Sequence, residues 1–227
     1  MALQDIINSA VNIEVNRSKL IAQTISRNGR ISVASRNWNN PFRFTVTPKP
    51  VWSYDDYREQ FEPLFNNDRF NSQIFALTNF NTTTNPGASL SPGSDWLTEY
   101  QGDLADPVDC LLDNYSATSI SGNSLTITKS GSPTVGQYIV RAGDYIRMSG
   151  GNYPYIVTTD LQVSASATAT ITLHRGAIEA VAASTPIFVG RRAALFKVIV
   201  SKLPQIRFLP GKLVEFTDNF ELFEDIQ

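Results

Sequence analysis

One histidine and one cysteine are all that this chain of 227 residues offers as versatile catalytic or soft metal-ligating groups. His174 stands beside Arg175 at the end of a predicted strand, where an imidazole could act as a general base or a pH sensor. No nucleophile motif accompanies it: G-x-S-x-G, H-E-x-x-H and paired C-x-x-C are all missing. A histidine at the surface or at a barrel edge is the preferred reading. Cys110 alone can form no intramolecular disulfide, and one Cys with one His falls short of a zinc ligand set. Asp103, Asp106, Asp109 and Asp113 could offer hard oxygens to calcium. Their spacing lacks the D-x-[DN]-x-[DN]-G order, and a solvated acidic loop accounts for them more simply. Pairs of carboxylates suited to glycoside hydrolysis can be drawn from any chain with 21 acidic residues, so they select nothing. Gly150-Gly151 and Ala142-Gly143-Asp144 read as turns, because no Lys-Ser or Lys-Thr and no helix pattern follows them. The expectation is a protein with no catalytic residue, no metal and no cofactor.

The aromatic residues are the other candidates. Trp38, Trp52 and Trp96, with eight tyrosines, could make a sugar-stacking surface. Aromatic side chains are also the commonest material of β cores and interfaces, and that reading is favoured. Trp38 sits at a predicted hairpin tip, where core burial is difficult, so an inter-subunit anchor suits it.

Composition sets the frame for these groups. Hydrophobic residues make up 42% and charged residues 18% of the chain, which argues against disorder and leaves few charges to solubilise an exposed surface. Surface hidden in an assembly would answer that shortage, as would an ordinary Ser/Thr/Asn-rich exterior. The formal net charge of −2 does not suggest a general nucleic-acid binder, which should be basic. Residues 1–12 carry neither a basic n-region nor a long apolar run, and no stretch reaches 18 consecutive apolar residues. The chain is therefore expected to be a soluble intracellular product until it assembles.

Periodicity outlines the elements. Leu3, Ile6, Ile7 and Ala10 have the spacing of a short amphipathic helical arm. Residues 30–36 alternate, with Ile31 and Val33 on one face. A turn-rich 37–41 follows, and 42–47 alternates again, with Phe42, Phe44 and Val46 on one face. This predicts a hairpin of 30–36 with 42–47. Ser53 is the expected N-cap of a helix, with Asp55 and Asp56 in its first turn. Tyr54, Tyr57, Phe61 and Leu64 form its packing stripe, and Pro63 ends it. Residues 78–125 read mainly as a long loop rich in Asn, Thr, Ser, Gly and Pro. Short strands and glycine turns over 141–189 suggest a small barrel or sandwich. Residues 194–202 and 213–222 form a closing hairpin, the first strand carrying Phe196, Val198 and Val200. The second carries Glu215, Thr217, Asn219 and Glu221 on its polar side, with a bend or bulge expected at Asp218-Asn219. The fold class is thus mainly β with one short α-helix: a hairpin–helix–hairpin core from 1–77 and 190–227, with an inserted β module at 78–189.

Several runs carry a family resemblance. Gln23-Thr24-Ile25-Ser26-Arg27-Asn28-Gly29-Arg30, then Pro41-Phe42-Arg43-Phe44-Thr45-Val46-Thr47-Pro48 with the aromatic helix, is similar to bacteriophage tail proteins. So are Ala142-Gly143-Asp144-Tyr145-Ile146 with Tyr155-Ile156-Val157 and the strand at 167–175, and the closing Phe216-Thr217-Asp218-Asn219-Phe220-Glu221-Leu222. The chain resembles the distal-tail or baseplate-hub class, related to tail-tube proteins, over most of its length except about 78–125. The resemblance implies a ring of copies, usually six, whose hairpins join into one β-barrel around a channel for DNA. The inserted module would face outward and hold neighbouring tail-tube and baseplate proteins. It further implies a place in the virion tail after synthesis in the host cytoplasm, DNA only in transit, and no membrane partner. Ile31, Val33, Trp38, Phe42, Phe44, Val46, Phe196, Val198 and Val200 would then lie in the ring-forming hairpins. Glu215, Thr217, Asn219 and Glu221 would face the lumen, where mild acidity would keep DNA from sticking. A carbohydrate- or receptor-binding β module, or a tail-associated glycan hydrolase, is the competing reading.

Overall fold

In the computed structural model, residues 2–16, 21–25, 31–35, 41–62, 64, 72–77, 111–133, 135–136, 138–189 and 192–226 are described. The chain divides into two compact units, 1–75 with 196–227 and 76–195. The boundaries expected from sequence are 77/78 and 189/190.

The first unit opens with α1 (Ala2–Ser9), followed by β1 (Asn12–Asn16), β2 (Ile21–Ile25), β3 (Ile31–Ser35), β4 (Arg43–Thr47) and β5 (Val51–Ser53). Next come α2 (Tyr54–Gln60) and β6 (Gln73–Ala76). The single helix of the expected fold class is therefore two: the apolar spacing at 1–10 is a true helix, which buries Leu3, Ile6 and Ile7 and lies against α2. Ser53 caps α2 as expected, its Oγ accepting the Asp56 amide at 3.1 Å and donating to Asp56 Oδ2 at 2.7 Å.

The predicted pairing of 30–36 with 42–47 is not what forms. β3 pairs with β2, Ile21 opposite Ser35 through Ile25 opposite Ile31, while β4 pairs with β1 on one side. One hairpin is nested inside another. In sequence, the five residues between β2 and β3 include Asn28-Gly29, a dipeptide favoured in hairpin connections. The turn-rich 37–41 drew the boundary to the wrong place.

The second unit contains β7 (Leu111–Ser121), β8 (Ser124–Lys129), β9 (Tyr138–Val140), β10 (Tyr145–Met148) and β11 (Tyr155–Ile156). It continues with β12 (Leu161–Gln162), β13 (Thr168–Thr172) and β14 (Thr185–Val189). An 11-residue strand, β7, thus lies inside the expected loop of 78–125. Its buried residues are Leu112, Tyr115 and Ala117, a spacing of three and then two. A register shift between Ala117 and Ser119 breaks the pattern again, so strict alternation could not find it. The turn to β8 needs only Gly122 and Asn123, and Gly122 takes the positive φ of 55°.

The sheet of this unit runs β11-β10-β14-β7-β8-β13. A bridge between Val157 and Leu173 ties its first strand to its last, and the Thr158 amide donates to the Thr172 carbonyl at 2.9 Å. The sheet curls onto itself as a small barrel around Leu125, Ile127, Ile146, Met148, Ile171 and Ile187.

The chain returns to the first unit through β15 (Leu195–Lys202), β16 (Ile206–Leu209), β17 (Leu213–Phe216) and β18 (Phe220–Glu224). Here too the predicted strand at 213–222 is two strands in two sheets. β15 pairs with β18, and β16 with β17 inside it, repeating the nested plan. The break falls at Thr217–Asn219, where Asp218 Oδ1 accepts the Asn219 amide at 2.8 Å and so competes with the ladder. The two outer hairpins meet through β4 and β18, giving a five-stranded sheet in the order β1-β4-β18-β15-β6. A three-stranded sheet, β16-β17-β5, joins α2 over an aromatic cluster in which Phe61 lies 4.5 Å from Phe216 and 5.0 Å from Trp52 between ring centroids. Among the described residues the protein is mainly β, with curled sheets and two short helices.

Candidate functional site

The side chains expected at ring contacts divide into three groups. Phe42, Phe44, Val46, Phe196, Val198 and Val200 are buried within one chain. Phe44 stands 4.7 Å from Phe196 and 5.0 Å from Phe75, ring to ring. They alternate with half-buried Arg43, Thr45 and Lys197, so the apolar face of the five-stranded sheet is spent on the unit's own core. These six side chains therefore pack inside one chain, while the strands β4 and β15 belong to the five-stranded sheet of the outer hairpins. Ile31 and Val33 lie on β3, opposite Ile25 and Gln23. Trp38 and Trp96 lie outside the described residues, as do Cys110, Asp103, Asp106 and Asp109.

Trp52 is buried, with Nε1 donating to the Lys49 carbonyl at 2.7 Å, so it belongs to the core and not to a sugar-stacking surface. In the helix stripe, Tyr57, Phe61 and Leu64 are buried, but Tyr54 is 40% exposed. Its ring adjoins that of Phe208, 6.2 Å away and 61% exposed, and Phe208 in turn covers Tyr57 at 6.1 Å. This exposed aromatic pair escaped the sequence reading because Phe208 lies in a segment taken as turn.

The four lumen candidates do not share a face. Glu215 is in the three-stranded sheet, 3.5 Å from Arg207. Thr217 and Asn219 are in the bend. Only Glu221 is on the polar face of the five-stranded sheet, in register with Thr45 and, across β4, Glu14. That face also carries Asn12, Asn16, Arg43 and Thr47, with the Arg43 guanidinium 4.7 Å over the Phe223 ring. Its charges are of both signs, so mild acidity is replaced by a mixed polar surface.

The barrel unit holds the most unusual polar cluster. His174 sits at the barrel closure, where its Nδ1 accepts the Ile156 amide at 2.9 Å and its own amide donates to the Ile156 carbonyl at 2.9 Å. That is a strand clip, in keeping with the barrel-edge reading. Arg175, buried beside it, donates from Nη2 to the Pro154 carbonyl at 2.7 Å and stacks over Tyr155 at 5.3 Å. Arg147 donates to the carbonyls of Gly151 and Arg192, at 2.7 and 3.1 Å. The guanidiniums of Arg147 and Arg192 each stand over the Phe188 ring, 4.9 and 4.2 Å from its centroid. Glu179 packs its carboxylate over Gly151 and accepts the Asn152 amide at 3.4 Å. Burial raises the Glu179 pKa, against the Asn152 hydrogen bond and the attraction of Arg147 and Arg175. Burial likewise lowers that of Arg147, although Glu179 opposes this. No Ser, Cys or Thr nucleophile joins the hydrogen bonds given above, and these groups fasten turns to strands. Among the described residues no group of three or more His, Cys, Asp and Glu could hold a metal ion.

The sign of the Glu179 shift gives a testable outcome. A carboxyl whose folded pKa is raised binds its proton more tightly in the native state, so stability rises as pH falls through the folded value. Glu179→Gln should therefore raise the melting temperature above that pH and flatten the profile below it. Solvent reaches part of the group, so the gain is under about 1 kcal/mol. Melting curves from pH 4 to 8 check it, and a Gln variant less stable at pH 8 would contradict it.

No protein-family model matches the chain, and no curated protein matches it either. No helix among the described residues is long and apolar enough to cross a membrane.

Proposed function

We propose that this chain is a structural, non-catalytic subunit of a bacteriophage tail. It forms a hexameric ring at the distal tail or baseplate hub, which continues the tail-tube channel for DNA. The observation that supports this reading best is the five-stranded sheet built from both outer hairpins, with β1 and β6 outermost among the described residues. An outermost strand offers unpaired amides and carbonyls to another chain, and heterologous joining of two different edges closes a ring. The polar face of that sheet, with Asn12, Glu14, Asn16, Thr45 and Glu221, would line the channel. The curled barrel unit would hold neighbouring tail proteins.

Exposed Tyr54 and Phe208 suit the same reading, since aromatic anchors dominate interfaces. Native mass spectrometry and electron microscopy test it: a closed ring, or decoration of one end of a tail tube, is expected. A monomer at every concentration that binds or cleaves glycan would overturn it. Phe208→Asp should weaken assembly about 30-fold or more, the effect of losing an interface anchor. The variant's urea midpoint should move by no more than the equivalent of about 0.5 kcal/mol, as for surface changes generally.

A further inference from the structure

The overall balance of −2 hides a sharp division of charge. Residues 17–36 contain Arg17, Lys19, Arg27, Arg30 and Arg36 and not one Asp or Glu, leaving fourteen basic against 21 acidic residues elsewhere, a balance of −7. This basic segment is the one that carries β2 and β3. These strands pair only with each other among the described residues, as a two-stranded sheet from Ile21–Ser35 to Ile25–Ile31. In sequence, Arg27 and Arg30 fall in the connection at the Ile25–Ile31 end. Lys19 and Arg36 flank the Ile21–Ser35 end.

A lone two-stranded ribbon is marginal in water and is normally completed by a further strand or a packed face. Among the described residues the outer side of each strand pairs with no other strand, and such an edge suits a partner. We propose that the β2–β3 ribbon is a basic arm that docks on the acidic surface of an adjacent copy of this chain. The partner surface is the −7 remainder outside the channel face, with exposed Asp55 and Glu59 among its carboxylates. Charge complementarity selects this partner. The ribbon and its counter-charge are on the same polypeptide, so every copy in a ring both gives and receives the contact. Duplex DNA, whose major groove also admits a β-ribbon, fits less well, because the same −7 remainder repels phosphate. The inference rests on the ring reading and adds what holds the ring together: an electrostatic arm, sensitive to salt.

Mass photometry of the full chain at 50 and 500 mM NaCl tests it, since the screening length contracts several-fold between them. Association should weaken about tenfold or more in high salt, as for contacts steered by charge. The triple variant Arg27→Gln, Arg30→Gln, Arg36→Gln should be weakened about as much at 50 mM and lose its salt dependence. The corresponding Arg→Lys triple variant should keep most of the association. The partner is overturned in favour of nucleic acid if the Gln variant assembles normally but loses affinity for a labelled 20-base-pair duplex. Assembly that ignores both salt and the Gln changes overturns the arm and leaves the ring standing. A chain monomeric at both salts overturns the ring reading and the arm with it.

Discussion

Replacing Phe44 by alanine should cost the first unit about 3–5 kcal/mol, the range for a large aromatic side chain removed from a packed core. The side chain is 1% exposed, and its ring meets Phe196, Phe75 and Phe42 at 4.7, 5.0 and 6.1 Å. Its backbone lies between Val15 of β1 and Leu222 of β18, at the seam where the two outer hairpins join. The cavity would thus open at the point on which the whole five-stranded sheet depends. Domains are stable by only about 5–15 kcal/mol, so the loss is a large share. Trp52, buried in the same unit, gives the fluorescence signal for urea unfolding. Thr45→Ala, one residue along on the polar face, should stay within about 0.5 kcal/mol. If the Phe44 face were instead an inter-subunit contact, the alanine variant would dissociate without a shift in the protomer's unfolding midpoint.

What could be read from the sequence follows the reach of local rules. The α2 cap was legible because Ser53 and Asp56 act within one turn. β10 and β13 were legible because glycine turns or clean alternation frame them. The strands that failed are those whose pattern is set by distant partners. β7 has buried residues at uneven spacing because it pairs across two irregular registers. β17 and β18 read as one strand because Val214, Phe216, Phe220 and Leu222 alternate straight through the bend at Asp218. The same limit applies to the contact residues. Alternation says that Phe42, Phe44 and Val46 share a face, yet it cannot say whether a partner chain or the chain's own β15 and β6 cover it. Burial against Phe196 and Phe75 decides for the second. Arg175 gave no signal at all, since a buried guanidinium is visible only once its partners are in place.

Arg175→Ala should destabilise the barrel unit by about 2–5 kcal/mol, the range for truncating a buried side chain, with a charge-assisted hydrogen bond lost besides. The guanidinium is 1% exposed and adds a side-chain tie beside the backbone closure of Val157 with Leu173 and of Ile156 with His174. Nη2 reaches the Pro154 carbonyl just before β11, the plane stacks on Tyr155, and the positive charge offsets Glu179. Tyr155 extends the connection, its hydroxyl accepting the Ile178 amide at 3.0 Å. Without the arginine, the Pro154 carbonyl loses this donor and Glu179 keeps Arg147 as a nearby counter-charge. Arg175→Met restores most of the stem's volume, so the difference between Met and Ala measures packing. Combining Arg175→Met with Glu179→Gln removes both charges and should cost less than the sum of the single changes, since the two groups interact. Amide exchange at Ile156 and Leu173 reads the effect where the barrel closes, and exchange at Phe44 and Leu222 should not change. An alanine variant whose barrel amides exchange as slowly as those of the parent would show that Arg175 adds nothing to the stability of the closure.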